Sequence, residues 1–314
     1  MRAFILRILF HLVFTLIAVL LLIYTTEKTI RNKADFEIPG SPEYLVVGHS
    51  HPEYLFNDSI IDNLKNFGHS GETYFYTYLK LKQLINQNKR VKFVLVEFTN
   101  GNIEKDMDHQ IWDDSHIGFR YPLYAPFMDL NDKQLLLSNN ISGFINSNSV
   151  SLRDGLTNRI RKNSYHFLPD IGGYAPVTYN KTDSLVYAVT KNKSRKGKAI
   201  ISENNLAYLS KIVQFLKSRG IKVIFVRSPQ HPLYPVRNNE LVYQEYRKTK
   251  FSDIDFWDFN NFPLDADEYA DLEHVNYKGS IKFSNWFRTM MLQKDLNGDI
   301  ISKAINQALA ESRD

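Results

Sequence analysis

From Phe4 to Tyr24 the chain is almost continuously apolar, interrupted only by Arg7, His11 and Thr15. A helix of that length rises about 30 Å at 1.5 Å per residue, enough to cross a bilayer's hydrocarbon core. The segment therefore reads as one N-terminal transmembrane helix, occupying residues 1–25. A cleaved leader fits less well, because Tyr24-Thr25-Thr26-Glu27-Lys28 offers no small-residue cleavage site. Arg2 and Arg7 precede the segment and Lys28, Arg31 and Lys33 follow it, so the charge rule alone does not orient it.

Residues 26–42 are polar and end in Pro39-Gly40-Ser41-Pro42, which reads as a linker. Residues 43–314 read as one α/β domain. Tyr44 to Val47 is a short β-rich apolar run bounded by Pro42 and Gly48, without helical periodicity, and so a buried first strand. The loop expected from His51 to Asp58 lines one wall of a cleft, and Ser59 to Lys65 is expected to hold a short capped helix before the second strand. From Glu72 to Asn88 apolar residues recur at helical spacing, and Lys92 to Phe98 is the third strand. Glu203 to Arg219 is a helix ending at Gly220, and Ile221 to Val226 is the strongest candidate for a parallel strand. Leu241 to Tyr246 (helix), Ile254 to Phe259 (strand), Ile281 to Leu292 (helix) and a helical tail from Asn297 to Asp314 complete an alternation that predicts a doubly wound sheet.

From about residue 102 to 200 this rhythm breaks into short pieces rich in Asn, Ser, Gly and aromatics, which predicts an insertion of short helices and turns over the sheet's mouth. Within it, Tyr121-Pro122-Leu123-Tyr124-Ala125-Pro126 and the basic run from Arg159 are candidate grips for a sugar and an anion, weighed against plain packing. Lys191 to Lys198 reads as an exposed loop.

Two stretches carry chemistry. Ser50 follows the first strand through Gly48-His49, where open α/β sheets hold their ligands, which makes it a candidate nucleophile. Far along the chain, Asp271 and His274 stand three residues apart before the closing helix, a spacing that lets the carboxylate hold one imidazole nitrogen while the other faces Ser50. Taken singly, Gly48-His49-Ser50 is a turn and Asp271 with His274 a capping pair. Their order along the chain points to a catalytic triad. The absence of cysteine excludes a thiolate nucleophile, a disulfide framework and a thiolate metal site. The net charge of +5 is scattered and accompanied by no nucleic-acid-binding motif, so nucleic acid is not an expected partner.

Together these motifs resemble the SGNH/GDSL hydrolase family, whose serine follows the first strand and whose Asp-x-x-His precedes the last helix. The resemblance covers roughly Tyr44 to Gln293. It implies a three-layer, flavodoxin-like parallel sheet, the SGNH hydrolase fold, here with a long insertion. Asn66-Phe67-Gly68-His69-Ser70-Gly71 looks like the family's second block, which makes Gly71 an oxyanion donor beside the Ser50 N–H. Phe98-Thr99-Asn100-Gly101 stands for the Gly-x-Asn-Asp block, with Asn100 as third donor, and His49 replaces the signature aspartate. The implied activity is that of a serine esterase or O-acyltransferase needing no metal or organic cofactor. An acylated cell-envelope glycan or lipid is the implied substrate, with a membrane acyl-transfer protein as a further partner. His51 and His231 are weaker candidates for substrate contact. An anchor beside envelope polymers implies a single-pass protein with its catalytic domain outside the cytoplasm. The competing reading is an inactive SGNH-like module that binds a glycan or a membrane partner.

Overall fold

The computed structural model describes residues 1–191, 200–234, 239–293 and 295–311. Most of the expected loop at Lys191 to Lys198 lies outside them, as do the last three residues of the tail. The chain opens with helix α1 (Arg2–Lys33). It continues through β1 (Tyr44–Gly48), α2 (Ser50–Leu55), β2 (Leu64–Gly68), α3 (Tyr74–Gln87) and β3 (Phe93–Glu97). Helices α4 (Asp114–Tyr124), α5 (Leu130–Asn139) and α6 (Ile141–Asp154) follow. Then come α7 (Glu203–Ser218), β4 (Lys222–Arg227), α8 (Glu240–Lys250), β5 (Asp255–Asp258), α9 (Tyr277–Met290) and α10 (Gly298–Glu311). These elements fall into two compact units, one of residues 1–36 with 112–167, the other of 37–111 with 168–314.

The second unit is α/β. Its five strands are all parallel in the order β2-β1-β3-β4-β5. After β2 the chain passes back over β1 to β3, so the winding reverses beside β1, the point at which such sheets open a crevice at their carboxyl ends. Leu45, Val46 and Val47 are wholly buried, as a strand covered on both faces requires. Alternate strand residues point to opposite faces. Val46, Leu95, Ile224 and Trp257 share one core with Phe56, Phe283 and Phe287 of α2's end and α9 and with Ile301 and Ile305 of α10. On the remaining side α3 packs on α7, with Phe75 edge-on to Tyr208 at 4.9 Å. Helix α7 starts at Ser202, whose hydroxyl accepts the Asn205 N–H, and stops at Gly220, whose φ of 69° lets the Gly220 and Ile221 N–H groups close back onto Lys217 and Leu216.

Two local expectations are corrected here. Ser50 does not enter a loop but opens α2, and the helix expected over Ser59 to Lys65 is a turn running into β2. Asn66 explains both. From inside β2 its amide nitrogen donates to the carbonyls of Pro52 and Phe56, tying down the end of α2, while its oxygen accepts the Gly68 N–H.

The first unit is helical. The apolar part of α1 is long enough to cross a membrane and is exposed on all sides. The helix does not end at Tyr24. It runs on to Lys33, through the start of the expected linker, because Thr26, Glu27 and Ile30 are buried in the unit. Glu27 pairs with Lys133 of α5 at 2.6 Å, and Gly155 leaves room for Thr26 and Ile30 where a Cβ would sit 2.8 and 3.0 Å from them. Ala34 and Asp35 then pair with Tyr165 and His166. Of the two recognition candidates of the insertion, the tyrosines and Arg159 are interior residues of this unit, while Arg161 and Lys162 of the basic run are exposed. Tyr121 and Tyr124 are buried, and Arg159 donates to the Pro122 carbonyl, pairs with Asp154 at 3.0 Å and lies over Tyr165 and Phe167. These three side chains hold helices together and are themselves withdrawn from a ligand.

Candidate active site

At the carboxyl end of β1, Gly48 has a φ of 151° and no space for a side chain, since a Cβ would overlap Glu97. Only glycine lets the strand turn there. The next two residues cross the tip of β3, where the Glu97 carboxylate accepts the His49 N–H, and Ser50 becomes the first residue of α2. Its N–H is one of the donors that a helix start leaves unpaired, and among the described residues nothing takes it up.

Ser50 Oγ lies 2.7 Å from His274 Nε2, and His274 Nδ1 lies 3.1 Å from both oxygens of Asp271. The three residues singled out in the sequence thus form one continuous chain of hydrogen bonds. The loop that carries the acid and the imidazole is rigidly built. Asp271 Oδ1 accepts the N–H groups of Glu273 and His274, the His274 carbonyl accepts the Ala270 N–H, and Asn276 caps α9 while its amide binds the carbonyls of Tyr269 and Asp267. Burial pushes the Asp271 carboxyl up, yet the His274 ring and the two N–H groups hold it below its ordinary value, so it stays ionised. Tyr54 of α2 stands edge-on to the His274 ring at 5.2 Å.

Ser50 Oγ has a second imidazole neighbour, His49 Nδ1, also at 2.7 Å. His49 Nε2 faces Gln110 Oε1 at 3.0 Å, which assigns its proton to Nε2 and leaves Nδ1 as an acceptor. Burial lowers His49 to about 4 against the pull of Glu97, so it is neutral at ordinary pH. One serine proton therefore has two acceptors, one backed by a carboxylate and one by an amide.

The remaining predicted residues behave differently. Gly71 sits in the turn after β2 with a φ of 70°, and its N–H has no partner among the described residues. That turn is tied to the end of β1 by the His69 N–H donating to the Gly48 carbonyl at 3.0 Å. The Asn100 expectation is corrected. Its amide nitrogen donates to Glu240 at 2.9 Å and its oxygen faces Arg227 Nη1 at 3.4 Å, so it belongs to the Arg227, Asp258 and Glu240 ion-pair network and is not a free donor for Ser50. His51 is also corrected as a substrate contact. It is buried, with Nδ1 paired to Glu97 and Nε2 facing Glu273 Oε1 at 3.3 Å. His231 works through its backbone, whose N–H binds the Leu272 carbonyl and steadies the Asp271–His274 loop.

A protein-family model of an uncharacterised family matches residues 180–296. That stretch includes β4, β5 and the Asp271–His274 loop but not Ser50. No curated protein matches the sequence.

The residues that sequence reading missed are Glu97, Gln110 and Glu273. Glu97 is wholly buried, and burial is outweighed by His51 and His49, which keep its carboxyl below the ordinary range. Its one visible signal was a lone acid closing an apolar strand. Burial opposes a charge on His51, but Glu97 and Glu273 raise it to about 10, and Glu273 is in turn lowered to about 2 by His51, His274 and the Tyr234 hydroxyl. The signs give a pH window. Glu273 contributes stability that is complete above its ordinary 4.5 and lost as pH falls through about 2. His51 contributes stability that is complete below its ordinary 6.5 and lost as pH rises through about 10. Thermal melts should therefore peak between roughly pH 4.5 and 6.5 and decline on both sides. In Glu273→Gln the acid limb should be shallower, and an unchanged acid limb would show that Glu273 does not contribute to it.

Proposed function

We propose that this chain is a membrane-anchored serine hydrolase of the SGNH/GDSL type, acting through an acyl-enzyme as an esterase or O-acyltransferase on an acylated cell-envelope glycan or lipid. The observation that carries the reading is the chain of contacts from Asp271 through His274 to Ser50 Oγ. It is supported by the sheet order, by a serine that follows the first strand at the carboxyl edge, and by an acid and base that immediately precede α9, which packs on the sheet.

In the reaction Ser50 Oγ attacks the ester carbonyl carbon while its proton passes to His274 Nε2. Negative charge on the carbonyl oxygen is met by the N–H groups of Ser50 and Gly71. Collapse of the tetrahedral intermediate breaks the ester C–O bond, and His274 returns the proton to the departing alcohol. A second acceptor then attacks the acyl-serine, gives its proton to His274 and leaves with the acyl group, and Ser50 recovers its hydrogen. With water the outcome is hydrolysis, and with a sugar hydroxyl it is transfer. Each proton is carried by His274, so these steps call for no cofactor.

Helix α1 gives the anchor a purpose, because an enzyme working on envelope polymers must be kept beside them. With Arg2 and Arg7 on the cytoplasmic side, everything after Lys33 lies outside.

A fluorophosphonate reports an activated serine without knowledge of the substrate. The full-length protein should be labelled at Ser50, as read by peptide mass. A folded protein that resists labelling would instead support a glycan-binding or partner-binding module, a reading favoured by the commitment of Asn100 to Arg227 and Glu240.

A further inference from the structure

The reaction just described uses one of the two histidines that stand face to face at this site. The rings of His51 and His274 are 5.2 Å apart at 34°, and Glu273, between Asp271 and His274 on the same loop, completes a cluster of which the acyl-transfer steps use only His274. We propose that His51 Nε2, Glu273 Oε1 and His274 Nε2 form a binding site for a zinc-type divalent cation, and that its occupancy silences Ser50 by claiming the base. The silencing rests on the serine hydrolase reading. The cation site does not.

Two imidazoles and a carboxylate are the donor set of zinc sites that keep a further position open. Each imidazole is prepared in the way metal ligands are, with its other nitrogen on a carboxylate. Nδ1 of His51 meets Glu97 and Nδ1 of His274 meets Asp271. Such partners fix the tautomer, raise the basicity of Nε2 and orient the ring. Here the two rings lie 5.2 Å apart, with His51 Nε2 3.3 Å from Glu273 Oε1 and His274 Nε2 2.7 Å from Ser50 Oγ.

One ligand atom from each of His51, Glu273 and His274 lies within 4.8 Å of the other two. Around a tetrahedral zinc, with donors at ~2.0–2.1 Å, neighbouring donors stand about 3.3 Å apart, so the set must tighten by about 1.5 Å. His51 Nε2 and Glu273 Oε1 are already 3.3 Å apart, so the closing falls on the distances to His274, and Glu273 at 35% and His274 at 16% exposed are freer to shift than His51, which is 6% exposed and held by Glu97. The exposed side of Glu273 is also the way in for an ion. The carboxylates of Glu97, Asp271 and Glu273 supply the negative charge that a dication needs.

His274 Nε2 has a single lone pair. It either receives the Ser50 proton or binds the cation, so the two states exclude each other. On binding, the Nε2 proton that His51 shares with Glu273 leaves to water, and Ser50 keeps its own.

The test uses the full-length protein in detergent, stripped with a chelator and titrated with Zn²⁺ in a calorimeter. One ion per chain is expected. Ser50→Ala should bind it as the unaltered protein does, because the hydroxyl is no ligand, and Glu273→Gln should bind at least tenfold more weakly. Fluorophosphonate labelling should stop in the zinc-loaded protein, return on chelation, and persist in Glu273→Gln at zinc levels that silence the unaltered chain. Absence of binding, or equal binding by Glu273→Gln, overturns the site. Equal labelling rates with and without zinc overturn the silencing. Glu273-dependent binding in a protein that is never labelled keeps the cation site and overturns the serine hydrolase reading, so the two failures are separable.

Discussion

Replacing Ser50 by alanine is expected to lower hydrolysis of a small acetyl ester by on the order of 10⁴-fold or more, with folding intact. Ser50 is buried at the start of α2, but among the described residues its hydroxyl hydrogen-bonds only with the two imidazoles, so the loss falls on chemistry more than on packing. His274→Ala should be nearly as severe, and the double variant Ser50→Ala/His274→Ala no worse than Ser50→Ala, because nucleophile and base act as one unit. Asp271→Asn should be milder, since the base remains while its orientation and charge support are lost. His49 adds a refinement. After His274 is removed one imidazole still touches Ser50 Oγ, but it is backed by Gln110 and lowered to about 4, which makes it a poor base. The remnant activity of His274→Ala should therefore fall further when His49 is also replaced. Steady-state kinetics on the five variants decides the matter, and full activity in Ser50→Ala would end the enzyme reading.

The second large effect is on stability. Glu97→Ala should destabilise the α/β unit by about 3–5 kcal/mol, the range for removing one partner of a buried ion pair. The wholly buried carboxylate accepts both the His49 N–H and the His51 Nδ1–H, and the alanine variant leaves these donors and the His51 charge without a partner. It also opens a void beneath Gly48, where the Glu97 side chain now sits against the strand end. Glu97→Gln keeps the shape and one acceptor oxygen and should cost clearly less. Chemical denaturation of the three proteins in one detergent compares them directly. A Glu97→Ala protein within 1 kcal/mol of the unaltered chain would mean that His51 is neutral and the pair unimportant.

Much of the sheet was legible because buried parallel strands write themselves as short apolar runs. Tyr44 to Val47, Lys92 to Phe98 and Ile221 to Val226 each lie within a residue or two of an observed strand. Helices α7 and α9 announced themselves by apolar spacing. Where the sequence misled, a distant partner decided. The short helix α2 is held by Asn66 from the next strand, and nothing local to Ser50-His51-Pro52 reveals that. Asn100 matched a motif by position, yet Arg227, 127 residues away, recruits it into an ion-pair network. Glu97 was passed over because its meaning lies in His49 and His51, which meet it only after the sheet has formed. In the insertion, Tyr121, Tyr124 and Arg159 face inward in a helical unit into which the continuation of α1 packs, and no local pattern announces that burial.

That continuation has a mechanical side. A flexible glycine- or serine-rich tether would let a folded unit swivel above an anchor, but here the helix that is long and apolar enough to cross a membrane is the same rod that is packed inside the protein through Thr26, Glu27 and Ile30. With that helix in a bilayer, its tilt or rotation, which responds to hydrocarbon thickness, would be passed on to the helical unit as through a rigid shaft. Cutting the chain after the apolar stretch is correspondingly delicate. A water-soluble form that begins at Ala34 would lose three interior side chains and the partner of Lys133, whereas one that begins at Tyr24 would keep the buried end of the shaft in its socket.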